Sequence, residues 1–312
     1  MRIVFFGSSG YSIEVLKELI FLEYKSLHVV TQPDRPKGRG MHLQPTGVKE
    51  FSLKHGLQVM TPDNLRDPEF LQVIRALKPD IFIIASYGRI LPRELLDIPR
   101  IPMCFHPSLL PKYRGAAPVN WALINGERET GVTIFRVNAR MDAGEIMFQE
   151  KICIHDEDDA ISLFQKVYIL SKQMLERALP LIKSGRVSFT PQDEAQATLA
   201  PKLTKDMAKI AWNKQSSDIC NLIRGMSSHG CAWAYFRNKR VKFWKATCEQ
   251  LPACGLSTCC AGEVIYLDKH LLKVCASDGA VVPWIIQPEG SHKMDITDFL
   301  SGHHPSACEF FE

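Results

Sequence analysis

The first half of the chain alternates between short apolar segments and longer segments with helical spacing, and this alternation limits the fold more than any other feature. Residues 3–6, 27–30 and 80–85 are apolar runs of strand length, whereas residues 12–22 and 159–183 repeat apolar side chains at helical intervals. Continuous apolar strands are typical of a parallel sheet buried on both faces and connected by right-handed helical crossovers. The pattern therefore predicts an α/β fold with a doubly wound, Rossmann-like sheet.

The pattern changes after residue 185. The next residues, up to about 208, are polar and irregular, and beyond them the apolar segments are short strands separated by turns. Such a succession is typical of a smaller β-rich barrel or sandwich. We therefore expect a doubly wound domain over residues 1–186, a linker over 187–208 and a C-terminal β domain over 209–312.

Composition and cysteine spacing exclude several classes of protein. The chain has 312 residues, of which 46% are hydrophobic and 23% are charged, and its net charge of +4 excludes a disordered or histone-like chain. Its ten cysteines include no CxxC pair, and no cysteines and histidines have zinc-ligand spacing. With neither a signal-like segment nor a long apolar run, we expect reduced thiols, no metal and a cytoplasmic protein.

Two turns lie where an open α/β sheet binds its ligands. The turn over residues 7–10 has GxxG spacing, which is a weak nucleotide signal because GxGxxG and an acidic partner are missing. Its alternative interpretation is a simple strand-to-helix turn. The segment over residues 31–49 reads TQPDRPKGRGMHLQPTGVK and combines basic residues with glycine and proline. It is either a phosphate-contacting loop or a solvated one.

One histidine and one aspartate are candidate catalytic residues. His106 directly follows the predicted strand 103–105, and Asp142 lies in a turn between the predicted strands 131–137 and 145–154. A carboxylate can orient an imidazole or accept a proton. A single histidine is more often structural, and the spacing alone does not show that the two side chains meet.

The residues around this histidine carry a family resemblance. The segment over residues 106–146, HPSLLPKYRGAAPVNWALINGERETGVTIFRVNARMDAGEI, resembles the core motif of the folate-dependent formyltransferase family. The resemblance extends over nearly the whole chain through VTQPDRPKGRG at 30–40, ASYGRILP at 85–92, LAPKLTKDMAKIAW at 199–212 and LLKVCASDGAVVPWIIQPEGSHKMDITDFLSG at 271–302.

The resemblance implies a reaction and a domain arrangement. It implies formyl transfer from 10-formyltetrahydrofolate to a primary amine, here the amino group of methionine on initiator tRNA, by a monomer whose C-terminal domain is OB-like. His106 matches the catalytic histidine of the family, which stabilises the oxyanion or shuttles a proton. Asp142 matches the catalytic aspartate, which orients the histidine and helps to deprotonate the amine.

The resemblance also implies two sets of binding residues. The expected folate-binding residues are Ser108, Leu109, Leu110, Pro111, Tyr87, Gly88, Ile90 and Leu91. The expected tRNA-binding residues are Arg35, Lys37 and Arg39 in the basic loop and Arg237, Lys239, Arg240 and Lys242 in the C-terminal domain. The second group lies among Phe236, Phe243 and Trp244, a composition that suits RNA backbone contact. The alternative is a set of strand residues that alternate between core and solvent.

The chain departs from the family at Cys104, where the family has asparagine two residues before the histidine. The asparagine amide donates to the formyl oxygen, whereas a thiol is a weak donor, and loss of one oxyanion donor costs about 10²–10³ in rate. Several interpretations stay open. The protein is a transferase with a substitute donor, a 10-formyltetrahydrofolate hydrolase, a sugar-amine N-formyltransferase, an enzyme whose thiolate captures the formyl group, or a catalytically weak folate- and RNA-binding protein.

Overall fold

The computed structural model describes residues 1–37, 41–251 and 259–312. The chain divides into two compact units, the first formed by residues 1–118, 130–152 and 165–201 and the second by 119–129, 153–164 and 202–312. Residues 187–201 of the predicted linker belong to the first unit, where Thr190 pairs with Ile146 as an antiparallel bridge. The division into domains at residues 186 and 209 stays a prediction from the sequence.

The strands and helices follow in chain order. The strands are β1 (Ile3–Gly7), β2 (Leu27–Val30), β3 (Arg35–Lys37), β4 (His42–Gln44), β5 (Gln58–Met60), β6 (Ile81–Ala85), β7 (Ile101–His106), β8 (Arg114–Gly115), β9 (Glu129–Arg136), β10 (Ile146–Cys153), β11 (Leu199–Ala200), β12 (Ala232–Phe236), β13 (Lys239–Gln250), β14 (Val264–Leu267), β15 (Leu272–Cys275), β16 (Gly279–Pro288) and β17 (Met294–Asp295). The helices are α1 (Gly10–Phe21), α2 (Gly47–Lys54), α3 (Pro68–Ala76), α4 (Arg93–Leu96), α5 (Pro118–Ile124), α6 (Ala160–Lys183), α7 (Ser216–Met226) and α8 (Ile296–His303).

The first unit is built on a seven-stranded sheet of order β10-β9-β7-β6-β1-β2-β5. β7, β6, β1, β2 and β5 run parallel, and β9 is antiparallel to β7. Every residue of β1 and β6 is buried, which is why these strands are apolar throughout. The predicted doubly wound α/β fold is confirmed, and it brings the carboxyl ends of β1, β6 and β7 to one edge of the sheet.

The two candidate turns of the sequence have local structural explanations. In the GxxG turn, Ser9 caps α1 through a reciprocal hydrogen-bonded capping box, which accounts for the serine without a nucleotide. In the basic segment, β3 and β4 pair as an antiparallel ribbon with Arg35 opposite Gln44. The interpretation of residues 31–49 as a loop is therefore wrong for these two strands. A proline is tolerated at position 36 because a two-stranded ribbon has free edges.

The second unit is built on an antiparallel sheet of order β12-β13-β16-β15-β14, with β17 beside β16. Its longest pairing joins β13 to β16 and is interrupted by irregular register near Lys245. The side chains of Trp212, Phe243 and Phe311 pack ring against ring in its core. The predicted change from an α/β pattern to a β-rich C-terminal region is confirmed. Within the described part of the chain, no helix combines the length and apolar character needed to cross a bilayer.

Candidate active site

His106 is the last residue of β7, at the carboxyl edge of the parallel strands. Its side chain is 5% exposed, and its Nε2 lies 2.8 Å from the carbonyl oxygen of Tyr113. A carbonyl can only accept, so Nε2 carries a hydrogen and donates it there. The bond fixes the ring and leaves Nδ1 as the nitrogen that faces Asp142.

Asp142 lies beside His106, a proximity that the spacing in the sequence could not show. Its Oδ2 lies 3.7 Å from His106 Nδ1 and accepts a hydrogen bond of 2.8 Å from the backbone N–H of Gly115. The His106–Asp142 separation is longer than a hydrogen bond, as is common for catalytic groups before substrate arrives. The carboxylate is therefore held by a backbone donor beside an oriented imidazole.

Two glycines allow the backbone to place Asp142 here. A Cβ on Gly115, whose φ is +126°, would lie 2.6 Å from the carbonyl oxygen of Ala200 in the neighbouring β11. A Cβ on Gly144 would overlap the carbonyl oxygen of Arg136. Any larger residue at either position would push apart the segments that hold Asp142.

The segment after His106 is held by a network of hydrogen bonds. Thr133 on β9 donates to the carbonyl oxygen of Ser108 at 2.7 Å and accepts from the N–H of Leu110 at 3.2 Å. Gln149 on β10 donates to the carbonyl oxygen of Leu110 at 2.8 Å and to the Thr133 hydroxyl at 2.9 Å. The predicted folate-binding residues 108–111 therefore form a fixed surface, and its two supporting side chains were not identified from the sequence.

The four predicted folate-binding residues between positions 87 and 91 do not share one environment. Tyr87 and Leu91 are buried in one apolar cluster with Phe6 and Phe82, and Cys104 packs against that cluster. Ile90 is instead 74% exposed, and Gly88 adopts a positive φ of 76°. Tyr87 and Leu91 thus line the same side of the sheet as Cys104, whereas Ile90 presents its side chain to solvent.

Cys104 lies two residues before His106 on β7, so both side chains project from the same face of the sheet. Burial of the thiol, together with the nearby Asp142 carboxylate, raises the pKa of Cys104 well above its usual range. A neutral thiol is a poor nucleophile, which weighs against the interpretation that it captures the formyl group. Its Sγ lies 3.6 Å from the carbonyl oxygen of Phe105, so the weak S–H donor already has an acceptor.

The predicted tRNA-binding residues differ in their surroundings. Arg35 is exposed on β3, the side chain of Lys37 is not described, and Arg39 lies outside the described residues. In the second unit, Arg237 is tied down by Glu309 at 2.7 Å and by the carbonyl oxygen of His303 at 2.9 Å. Lys239 and Arg240 are exposed, and Lys242 is partly exposed.

The aromatic residues near these basic residues differ in exposure, because successive side chains of a strand point to opposite faces. Phe236 and Phe243 are buried in the core, as the alternative of strand residues alternating between core and solvent requires, so these two rings are not available to contact RNA. The partly exposed rings of β12 are Trp233 and Tyr235, which sit opposite Lys242 and Arg240 on β13. The period-two alternation of AWAYF over residues 232–236 is the sequence signal that could have found them.

Cations lie over these rings. The Arg240 guanidinium is 4.2 Å from the centre of the Trp233 ring, and Lys209 Nζ is 6.0 Å from Trp233 and 5.7 Å from Tyr235. We call Trp233, Tyr235, Lys209, Arg240 and Lys242 the aromatic–cationic face. Stacking rings beside positive charges are a combination that suits nucleotides. Among the described residues, no group of three metal-ligating side chains converges on a common point.

Both parts of the chain match known protein families. A family model described as formyl transferase matches residues 1–179, and one described as formyl transferase, C-terminal domain, matches residues 202–304. The methionyl-tRNA formyltransferase of Caldanaerobacter subterraneus is 39% identical over 306 residues, which cover 97% of each chain. That of Listeria monocytogenes is 40% identical over 303 residues, which cover 96% of this chain and 95% of the relative.

Solved structures share the fold at much lower sequence identity. The N-formyltransferase of Helicobacter canadensis, in complex with folinic acid and dTDP-3-aminofucose, has a TM-score of 0.68 and 16% identity over 91% of this chain and 98% of its own. HypX of Aquifex aeolicus, in complex with tetrahydrofolic acid, has a TM-score of 0.64 and 20% identity over 100% of this chain and 50% of its own. At these identities the likeness shows the fold alone.

Proposed function

Since the chain belongs to the formyl transferase family, we propose that it transfers a formyl group from 10-formyltetrahydrofolate to the amino group of methionyl-tRNA through His106 and Asp142. The observation that carries the site assignment is the approach of His106 Nδ1 to Asp142 Oδ2 at 3.7 Å, at the sheet edge where β7 ends. Open α/β sheets place their ligands at this edge. We further propose that the enzyme acts in the cytoplasm, where its tRNA substrate is charged, and that it acts as a monomer.

The two residues have complementary tasks in formyl transfer. The amine of methionyl-tRNA attacks only after losing a proton, and the Asp142 carboxylate accepts it. Attack of the amine nitrogen on the formyl carbon forms a C–N bond and places negative charge on the formyl oxygen. Because Nε2 already donates to the Tyr113 carbonyl, Nδ1 carries a hydrogen only in the imidazolium form of His106, and in that form it donates to the formyl oxygen. When the intermediate collapses, the bond between the formyl carbon and N10 breaks, the proton held by Asp142 passes to N10, and the former amine nitrogen releases its second proton to solvent.

The environment of Cys104 makes His106 more important. The position two residues before the histidine supplies a neutral thiol whose S–H already has an acceptor in the carbonyl oxygen of Phe105. A thiol is a much weaker donor than an amide. The oxyanion therefore depends on His106, and we expect transfer to be slower than in an enzyme with a full set of donors.

The proposed reaction is tested by a single-turnover assay with 10-formyltetrahydrofolate and methionyl initiator tRNA. With the enzyme in excess, formyl-methionyl-tRNA is expected in an amount equal to the limiting methionyl-tRNA, with no formate released beyond the chemical background. Formate release that is independent of tRNA would show a hydrolase. Folate binding without either product would show a binding protein, and formylation of an amino sugar nucleotide in preference to the tRNA would show a sugar-amine transferase.

We propose that the aromatic–cationic face contacts the tRNA in the second unit. Its rings can stack on bases or riboses while Lys209, Arg240 and Lys242 neutralise phosphates. Arg237 has a different task, because its guanidinium is occupied by Glu309 and by main-chain carbonyls near the end of α8. Lys239, which is exposed beside this face, and Arg35, which is exposed on β3, extend the proposed basic contacts.

Replacing Trp233 with alanine is expected to raise the KM for tRNA by about 5- to 100-fold, since base–aromatic stacking contributes about 1–3 kcal/mol. The KM for 10-formyltetrahydrofolate should stay within about twofold. The measurement is initial-rate formylation at varied tRNA and fixed folate. Trp284→Ala is the matched control, because Trp284 is a partly exposed tryptophan of the same sheet whose Nε1 donates to Thr247, and no cation of the described residues lies over its ring. Equal effects of the two substitutions would contradict the assignment of this face.

A further inference from the structure

The side-chain amide of Gln192 lies between a buried arginine and the turn that carries Asp142. Its Nε2 donates to two main-chain carbonyls, that of Asp142 at 2.8 Å and that of Gly144 at 2.7 Å. Its Oε1 accepts from Arg114 Nε at 3.1 Å and from Arg114 Nη2 at 2.7 Å. The amide thus makes four hydrogen bonds and joins the turn to the arginine.

Chemistry fixes which way this amide points. The two carbonyls can only accept and the guanidinium can only donate, so the opposite orientation would place acceptor against acceptor and donor against donor. Arg114 is itself 6% exposed and is held on its far side by both carboxylate oxygens of Glu194 at 3.1 Å. Gln192 is therefore attached to an anchored group rather than to a mobile side chain.

The turn needs such support because its backbone is strained. Asp142 has a positive φ of 49°, a conformation that residues with a side chain rarely adopt. Within the turn, the N–H of Ala143 reaches the carbonyl oxygen of Arg140 only at 3.5 Å. The bonds from Gln192 hold the carbonyls on both sides of Ala143, and the bond from Gly115 holds the Asp142 carboxylate.

From this geometry we infer that Gln192 is a positioning residue for formyl transfer: it holds the 142–144 turn so that the Asp142 carboxylate faces His106. The inference rests on the proposed role of Asp142 as proton acceptor. Gln192 does not touch the reacting atoms in this account. It acts by fixing the main-chain atoms that determine where the carboxylate lies.

The inference is tested with two substitutions of similar length. Gln192→Met removes both donors, and Gln192→Glu keeps an acceptor for Arg114 but turns a carboxylate oxygen toward two carbonyls. Both should lower kcat by about 10- to 100-fold, because a displacement of about 1 Å at a catalytic group costs rates of that order. The KM for 10-formyltetrahydrofolate should stay within about twofold. Gln196→Met is the control, since the exposed side chain of Gln196 donates to Asp193 and, within the described part of the chain, to no other group.

A double-mutant cycle separates positioning from a general structural role. In an Asp142→Asn background, Gln192→Met should lower the single-turnover rate by less than threefold, because the carboxylate that it positions is already gone. Losses that multiply in the double mutant would overturn the inference, as would a Gln192→Met enzyme with the parental kcat. Full activity of Asp142→Asn alone would instead overturn the proposed role of Asp142, so the two failures are distinguishable.

Discussion

Replacing His106 with alanine is expected to lower the single-turnover rate of formyl transfer by about 10²–10³-fold, the range for loss of one oxyanion donor. The reason is that Cys104 offers only a weak donor, so the imidazole supplies the main stabilisation of the oxyanion in our account. Binding of 10-formyltetrahydrofolate should change by less than about threefold. Rapid-quench formylation and equilibrium folate titration measure the two quantities separately.

The control for this substitution must keep the hydrogen bond to Tyr113. Alanine leaves the Tyr113 carbonyl without its 2.8 Å partner at a residue whose φ is +61°, which can move the loop as well as remove the imidazole. His106→Gln retains an N–H donor for that carbonyl, but its amide has no second nitrogen with which to donate to the formyl oxygen. We expect it to be as inactive as alanine while its thermal unfolding stays closer to the parent. Parental rates in both variants would contradict the proposed mechanism.

The core of the first unit could be predicted from the sequence because each of its central strands is recognisable from its own apolar residues. Residues 81–85 have no polar side chain, and only a strand buried on both faces requires that. The pairing within the basic segment 31–49 could not be predicted in this way. The pairing of β3 with β4 depends on contacts between residues that are close in sequence but not apolar, and neither length nor periodicity reports such a ribbon.

The site could be predicted residue by residue but not as an arrangement. His106 stood out because it follows a strand, yet its distance to Asp142 depends on β9 and β10, which bring residue 142 back to the edge of β7. Gln192 lies in a segment whose residues are polar and show no regular pattern in the sequence. Its importance comes from hydrogen bonds across about 50 and 80 residues of chain, and these bonds have no local signature.

The basic residues of the second unit show that adjacency in the sequence does not predict which side chains share a surface. Phe236 and Arg237 are adjacent in the chain, but the ring is buried and the guanidinium is bound to Glu309. Trp233 and Tyr235 lie on the opposite side of β12 from Phe236 and its buried neighbours. Counting alternate positions from the buried ring would have selected them, because side chains of a strand point to opposite faces in turn.

Replacing Cys104 with asparagine is the change with the largest expected gain. An amide at this position would add a strong donor for the formyl oxygen, and one such donor is worth about 10²–10³ in rate, or roughly 2.7–4 kcal/mol. The same amide would lie against the apolar cluster of Phe6, Phe82 and Tyr87. An unsatisfied polar group costs about 1–3 kcal/mol, so the free enzyme should unfold at a lower temperature. Single-turnover formylation and thermal unfolding measure the two opposite effects.

Cys104→Ala separates a gain from the amide from a loss of the thiol. If the thiol is a neutral side chain that contributes little to the oxyanion, alanine should change the rate by less than about threefold. A drop of 100-fold in the alanine variant would show that the sulfur takes part in the reaction, contrary to the neutral state that burial and Asp142 impose on it. An asparagine variant that is folded, binds folate and is no faster than the parent would show that the oxyanion lies out of reach of residue 104. The cysteine would then be no reason to expect slow transfer, because residue 104 would take no part in stabilising the oxyanion.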